Sequence, residues 1–205
     1  MTPATIPDIV IGRLPLYLRA LTQFEASGDK VTSSHEMGDH LGISSAQIRK
    51  DLLHFGEFGK QGTGYNVSYL KEQIEIILKV DQEWDVALVG AGGVGNAIVN
   101  YAGFRGRGFR IAVIFDNDPN KVGQKIDGLV ILSSDQIKTQ IRKIGIRIAM
   151  VAVPSDQAQK VTNKLVKSGV ESILNYAPTS LIVPPKVRIQ HIDPVVGLQH
   201  MTYYL

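Results

Sequence analysis

A chain of 205 residues, 44% hydrophobic and 20% charged, has the length for one large or two small domains with a real core. It holds no cysteine, which excludes disulfides and cysteine-based zinc sites. Its net charge of +3 is uneven: residues 1–80 carry 8 Lys+Arg against 9 Asp+Glu and residues 81–205 carry 14 against 10, so bulk charge announces no nucleic-acid partner and any DNA contact must come from a local cluster of cations. No apolar run approaches the roughly 18 residues of a membrane span, and the first residues, Met1 to Ile11, lack the basic, apolar and small-residue regions of a secretory signal. The expectation is a cytoplasmic protein with no membrane partner.

In chain order, Leu14, Tyr17, Leu18 and Leu21 fall on one helical face, with Pro15 expected in the first turn. Ser33 to Glu36 and Ser44 to Gln47 both match the capping box S-x-x-E/Q and predict two short helices. The turn between them is Leu41-Gly42-Ile43, so the pair reads as a helix-turn-helix. In its second helix Ile48, Leu52 and Phe55 face inward. Gln47, Lys50 and His54 take the opposite face, with Arg49 at its edge, and these side-chain types reach base edges and phosphates in a major groove. Next, Gly59, Gly62 and Gly64 surround one cation, Lys60, ahead of Tyr65-Asn66-Val67, the layout of a hairpin wing. A helical bundle with a flexible loop fits the same pattern. Val67, Leu70, Ile74, Ile77 and Leu78 then predict a helix that either links two domains or belongs to the core of the first. The boundary is expected near Val80 to Trp84.

The second part opens on a dinucleotide fingerprint. Asp85 to Val89 reads as a buried strand running into Gly90-Ala91-Gly92-Gly93-Val94-Gly95 and a helix at Asn96 to Val99. A second strand, Phe109 to Phe115, ends at Asp116, 21 residues after Gly95. Gly90 allows the tight turn, Gly92 the approach of backbone to a pyrophosphate, and Gly95 close helix–sheet packing. Asp116 accepts from a ribose 2′-OH and repels a 2′-phosphate, which favours NADH/NAD+ over the 2′-phosphorylated cofactors. Strands are further expected at Leu129–Leu132, Ile146–Val153, Glu171–Leu174 and Val187–His191, with helices capped near Ser134 and starting after Ser155. The carboxyl ends of a parallel sheet line its crevice, which places Val153, Pro154, Asn175, Tyr176 and Ala177 near the cofactor. Finally, Asp193 caps a helix with Pro194 at its first position. This helix is apolar on most sides (Val195, Val196, Leu198, Met201, Tyr203, Tyr204, Leu205). Such a helix needs burial, and either a second subunit or its own domain supplies it.

Together these residues resemble the redox-sensing repressor family Rex over nearly the whole chain. The resemblance rests on Arg13-Leu14-Pro15-Leu16-Tyr17, Ser45 to Leu52, Gly59 to Val67, the fingerprint, Ile173 to Pro178, and His191-Ile192-Asp193. It implies an α/β chain with an N-terminal winged-helix DNA-binding domain (1–80), a Rossmann-like parallel-sheet NAD(H)-binding domain (81–190) and a C-terminal dimerisation helix (191–205) swapped between the subunits of a homodimer. The implied function is repression from an inverted-repeat operator, with half-sites near TTGTGA, that is relieved when NADH rises. Position by position, Arg49 and Lys50 match the operator-reading helix, with Ser45, Gln47 and His54 beside them. Lys60 matches the wing, with Gly62 and Tyr65. Gly90, Gly92, Gly95 and Asp116 match the cofactor motif, and Tyr101 a tyrosine near the nicotinamide pocket. Arg13 and Asp193 match a pair that forms across subunits, and Tyr203 lies on the swapped helix. Gly197 stands where many members have a larger polar residue.

Two other readings use some of the same residues. An NAD-dependent dehydrogenase would need a substrate domain and a proton donor, for which only His191, His200 and Lys186 are candidates. A CoA- or other nucleotide-responsive regulator is compatible with Asp116-Asn117-Asp118-Pro119 after the second strand. No metal site is expected, since His35 and His40 are five apart and do not share a helix face.

Overall fold

The computed structural model describes residues 6–60, 62–104 and 106–205. The chain divides into two compact units, Met1–Gln82 and Glu83–Leu205.

In the first unit α1 (Asp8–Ala26), α2 (Ser34–Leu41), α3 (Ser45–Leu53) and α4 (Val67–Leu78) surround a small antiparallel sheet. Its strands are β1 (Val31–Thr32), β2 (Gly59–Lys60) and β3 (Gly64–Asn66), in the order β1-β3-β2. The β2–β3 hairpin is the wing. Leu14, Tyr17 and Leu21 of α1 pack with Met37, Ile48, Leu52, Val67, Leu70 and Ile74 into one core. That core makes α4 a structural helix of this unit. Ser33 caps α2 with a complete capping box: its Oγ accepts from Glu36 N at 3.1 Å and its own N–H donates to the Glu36 carboxylate at 2.7 Å.

Two local expectations are corrected. α1 starts at Asp8, so Pro15 lies inside the helix and not in its first turn. Val10, buried like Leu14, extends the apolar face one turn upstream. The box expected at the start of α3 is half formed. Ser44 Oγ accepts from Gln47 N at 3.2 Å, but the Gln47 side chain does not return to Ser44; it turns along the helix to Asp51.

The second unit is a seven-stranded sheet in the order β10-β9-β8-β4-β5-β7-β6. The strands are β4 (Trp84–Val89), β5 (Phe109–Asp116), β6 (Lys125–Ile126), β7 (Leu129–Ser133), β8 (Ile148–Val151), β9 (Ser172–Asn175) and β10 (Arg188–His191). All pairings are parallel except β6–β7 at one edge. The helices are α5 (Gly93–Val99), α6 (Ile137–Ile144), α7 (Ser155–Ser168) and α8 (Pro194–Thr202). Strand β4 alternates between two cores. Ala87 and Val89 join Ile137, Ile141 and Leu165 on one face, and Val86 and Leu88 join Ile98 and Val99 on the other. The sheet is therefore covered on both faces, as parallel sheets require.

Here the strand expected over Ile146–Val153 is shorter, Ile148–Val151. The helical segment after β7 is capped by Ser133, next to the expected Ser134, and begins as a 3₁₀ turn before α6. The two-residue strands β1 and β6 were not expected, because a strand that short shows no alternation.

Candidate functional site

Strand β4 is flanked by β5 on one side and β8 on the other, so the chain reverses direction across the sheet at β4. A crevice opens at that switch point, beyond the carboxyl ends of the strands. A cavity of about 530 Å³ lies there, lined by Gly90, Asp116, Asn117, Ser133, Val153 and Asp156 among others.

The glycine turn reaches it through Gly90. Gly90 has φ of +105°, and a Cβ there would lie 2.2 Å from the carbonyl oxygen of Ala152. A Cβ at Gly95 would lie 1.8 Å from the Gly90 carbonyl oxygen. Both positions therefore admit only glycine, one through conformation and contact, the other through contact. A Cβ on Gly92 or Gly93 would meet nothing, and their open side is where a ligand's pyrophosphate has room. Helix α5 starts at Gly93, earlier than the expected Asn96, and its first N–H groups have no intrahelical acceptor.

Asp116 closes the turn. It is 6% exposed, accepting from Ala91 N at 2.7 Å and from Asp118 N at 2.9 Å. Burial pushes this carboxyl up, but the backbone hydrogen bonds and the nearby Lys121 ammonium hold it below the ordinary carboxylate range. Oδ2 takes the Ala91 N–H and faces the Lys121 ammonium at 3.5 Å, while Oδ1 takes the Asp118 N–H.

Of the other expected cofactor residues, Val153 lines the cavity while Tyr101, Asn175, Tyr176 and Ala177 do not. Tyr101 is 58% exposed and stands edge-on to Phe104. Burial, and second the charge of the ionised Tyr101 phenol, push the Tyr176 hydroxyl above its ordinary value. Asn175 is fully buried, and its amide is spent on the turn it begins: Nδ2 donates to the Ala177 and Thr179 carbonyls and Oδ1 accepts from Ala177 N. Val94 is exposed, Ala91 buried, and Pro154 precedes α7 as its cap residue.

In the first unit, a groove of about 670 Å³ runs between α2, α3 and the wing, lined by Ser33, Ser34, Arg49, Gly62 and Tyr65 among others. Arg49 is exposed and donates to Ser34 Oγ at 2.9 Å. Lys50 and His54 are exposed, and Ser45 and Tyr65 half-buried. Lys60 belongs to β2, and its side chain lies outside the described part of the structure. Ser33 and Ser34 were not anticipated; their sequence signal, a helix cap, speaks for structure alone.

Asp51 was also missed. It is a fully buried carboxylate on α3. Arg13 donates to it with Nε (2.5 Å) and Nη2 (2.7 Å), Tyr17 with its hydroxyl (2.6 Å) and Gln47 with Nε2 (2.7 Å). Arg13, expected to pair with Asp193 across subunits, is bound here within its own unit. Asp193 caps α8, accepting from Val195 N at 2.9 Å.

No residue of α8 is buried. Val195, Val196, Leu198 and Met201 are each more than half exposed, and Tyr203 is 85% exposed. Among the described residues, no helix is long and apolar enough to cross a membrane, and no group of three His, Asp or Glu side chains is placed to hold a metal.

Comparison with known proteins matches a family model described as "CoA binding domain" over residues 81–179, and one described as "Putative DNA-binding protein N-terminus" over residues 5–52. The chain is 53% identical over 199 residues to the redox-sensing transcriptional repressor Rex of Roseiflexus sp. (strain RS-1), covering 97% of this chain and 90% of that protein. It is 41% identical to the Rex repressor of Streptomyces coelicolor, covering 98% of this chain and 80% of that one. Among solved structures it is similar to RSP, a Rex-family repressor, in complex with beta-NAD+ and operator DNA. That likeness has a TM-score of 0.92 at 34% identity over 98% of this chain and 93% of RSP. To RSP in complex with beta-NADH the TM-score is 0.89 at 32% identity, over 98% and 94% of the two chains.

Proposed function

The chain belongs to the family of redox-sensing transcriptional repressors named Rex, and from that premise we propose that it binds an inverted-repeat operator when NADH is low and releases it when NADH binds. One observation carries this reading. A winged helix and a Rossmann crevice with a complete glycine turn stand on one chain, and nearly all of that chain is similar to a repressor crystallised with NAD+ and operator DNA.

Residues 1–80 are the operator-binding domain, 81–190 the NAD(H)-binding domain and 191–205 the dimerisation helix. Helix α3 enters the major groove with Ser45, Gln47, Arg49, Lys50 and His54, while Lys60, Gly62 and Tyr65 of the wing follow the DNA backbone. The turn from Gly90 to Gly95 cradles a pyrophosphate, and Asp116 takes a ribose hydroxyl. NADH and NAD+ differ at the nicotinamide by one positive charge and by ring planarity. An apolar enclosure disfavours the charged ring because burying an unpaired charge is costly, and Tyr101, Tyr176, Pro154 and Ala177, which lie outside the cavity of the single chain, are the residues assigned to it in this reading. Helix α8 supports a homodimer: its apolar residues are exposed, and a second copy that receives the swapped helix buries them. Arg13, Asp193 and Tyr203 belong to that subunit junction. A dimer presents two reading helices about one DNA turn apart, so a change in the pose of the subunits releases one half-site. The protein works in the cytoplasm by binding alone, without catalysis.

The test is a fluorescence-anisotropy titration of an inverted-repeat TTGTGA duplex at fixed ionic strength, since phosphate contacts are salt-dependent. With NADH the operator affinity should fall about 5–150-fold, and by linkage the operator must weaken NADH binding by the same factor. NAD+ and CoA at equal concentration should leave it nearly unchanged. Equal operator affinity with and without NADH overturns the reading, and release by CoA in place of NADH favours the CoA-responsive alternative. Hydride transfer by the purified chain to oxo acids or aldehydes would instead revive an enzyme.

A further inference from the structure

Arg49, Lys50 and His54 are exposed on helix α3, whereas Gln47 is half-buried and held from beneath. Gln47 and Asp51 are one turn apart on the same side of α3, and the Gln47 amide nitrogen donates to Asp51 Oδ1 at 2.7 Å. Asp51 is fully buried, and its acceptor sites are filled. Oδ1 takes Arg13 Nη2 and Gln47 Nε2, and Oδ2 takes Arg13 Nε and the Tyr17 hydroxyl. All four partners are donors, and an ionised carboxylate only accepts. The Gln47 amide therefore has one permitted orientation, with nitrogen toward the helix and oxygen away from it. No hydrogen bond from a described residue reaches Gln47 Oε1. The half-formed box at Ser44 has the same origin, because the side chain that would complete it is drawn to Asp51.

We propose that Asp51 is a positioning residue for base readout: it fixes the polarity of the Gln47 amide, so that Gln47 presents a carbonyl oxygen to the operator and selects a base bearing an exocyclic amine. In the major groove those amines are adenine N6 and cytosine N4, whereas guanine and thymine present carbonyl oxygens there. The cluster also bolts α3 to α1, since Arg13 and Tyr17 stand on α1, and the orientation is held before DNA arrives. The inference rests on reading α3 as the operator-contacting helix.

The experiment measures operator affinity of the full chain for a panel of duplexes, each with one base pair exchanged symmetrically in both half-sites. Gln47→Ala identifies the base pair whose discrimination Gln47 supplies. Asp51→Asn keeps the shape but offers an amide that can donate to Gln47 Oε1 and so permit the reversed orientation. Asp51→Asn should lose about tenfold of discrimination at that one base pair. It should keep the preferences at the pairs read by Arg49, and keep its NADH affinity. Tyr17→Phe, which removes a donor from Asp51 but not Gln47, should lower the melting temperature and leave every base preference intact. Equal weakening of Asp51→Asn on all duplexes, or unchanged discrimination at the Gln47 pair, overturns the proposal. Unchanged preferences in Gln47→Ala remove its premise, while NADH-dependent release in the same assay tests the repressor reading separately. A measurement on the native chain guards against Asp51→Asn failing to fold. In the free protein, the side-chain amide NMR signal that Gln47→Ala abolishes should exchange slowly with solvent. Free exchange of that signal overturns the proposal as well.

Discussion

Asp116 accepts a hydrogen bond from the backbone N–H of Ala91 at 2.7 Å, so the acid at the end of β5 is built into the glycine turn. Its second oxygen holds the chain after β5 through Asp118 N. Replacing Asp116 with Ala leaves the buried Ala91 N–H and the half-buried Asp118 N–H without their acceptor, a loss of about 1–3 kcal/mol for each group that finds no water. The expected outcome is a lower thermal midpoint together with at least tenfold weaker NADH binding, measured by calorimetry. Wild-type NADH affinity in Asp116→Ala would show that the carboxylate serves the turn alone.

Gly95→Ala tests the turn from its other side. The added Cβ would meet the Gly90 carbonyl oxygen at 1.8 Å, and neither backbone segment can yield without moving α5 from β4. NADH binding should be lost, while operator binding by the NADH-free protein persists and becomes insensitive to NADH. Gly93→Ala, whose Cβ meets nothing within 4 Å, serves as the control for a folded chain.

The Asp51 cluster makes stability depend on pH in one direction. Burial raises this carboxyl, but the hydrogen bonds from Arg13, Tyr17 and Gln47 win and hold it below the ordinary range. A depressed folded value means that the stabilisation is fully present above the unfolded value of about 3.9 and is lost as pH falls through the lower folded value. Urea unfolding of the native chain should therefore show stability declining below about pH 4, with a shallower decline in Asp51→Asn. Asp51→Ala strands the Arg13 guanidinium and should cost about 3–5 kcal/mol.

Helix α8 is where the dimer is tested. Leu198→Glu places a charge among exposed apolar side chains and should shift the protein towards monomer in sedimentation, with loss of operator binding. Gly197→Ala should act oppositely. Gly197 is not in a left-handed conformation and a Cβ there meets nothing within 4 Å, so the substitution gains up to about 1 kcal/mol of helix propensity. A tighter dimer with unchanged NADH affinity is expected, and a dimer indifferent to both changes would place the interface elsewhere.

Lys50 offers a contrast with Gln47. An exposed ammonium at a phosphate carries no sequence information, so Lys50→Ala should weaken all duplexes alike and reduce the salt slope of binding by about one. Selective loss at one base pair would make Lys50 a reader instead.

Much of this molecule is legible in local spacing. The turn from Gly90 to Gly95, its strand, its helix and Asp116 stand at separations set by one strand–helix–strand unit, so their geometry follows from order along the chain. The caps at Ser33 and Ser44 and the apolar faces of α1 and α3 are equally local. Pro15 was misplaced because the apolar spacing was followed from Leu14, and Val10 carries the same face a turn further back. The two-residue strands β1 and β6 escaped because pairing with a distant neighbour, not alternation, creates them.

The two-part architecture, the nucleotide turn and the outward face of α3 with Arg49 and Lys50 can be read from the order of residues alone, because each is encoded within a few tens of residues by period, cap or glycine. The role of Asp51 emerges from packing in three dimensions. An aspartate between a lysine and two leucines reads as a solvated position, and it becomes a buried hub only when α1 brings Arg13 and Tyr17, more than thirty residues upstream, against α3. The physical reason is that a buried charge is tolerated only where several donors converge on it, and such convergence is a property of packing in space rather than of order in the chain.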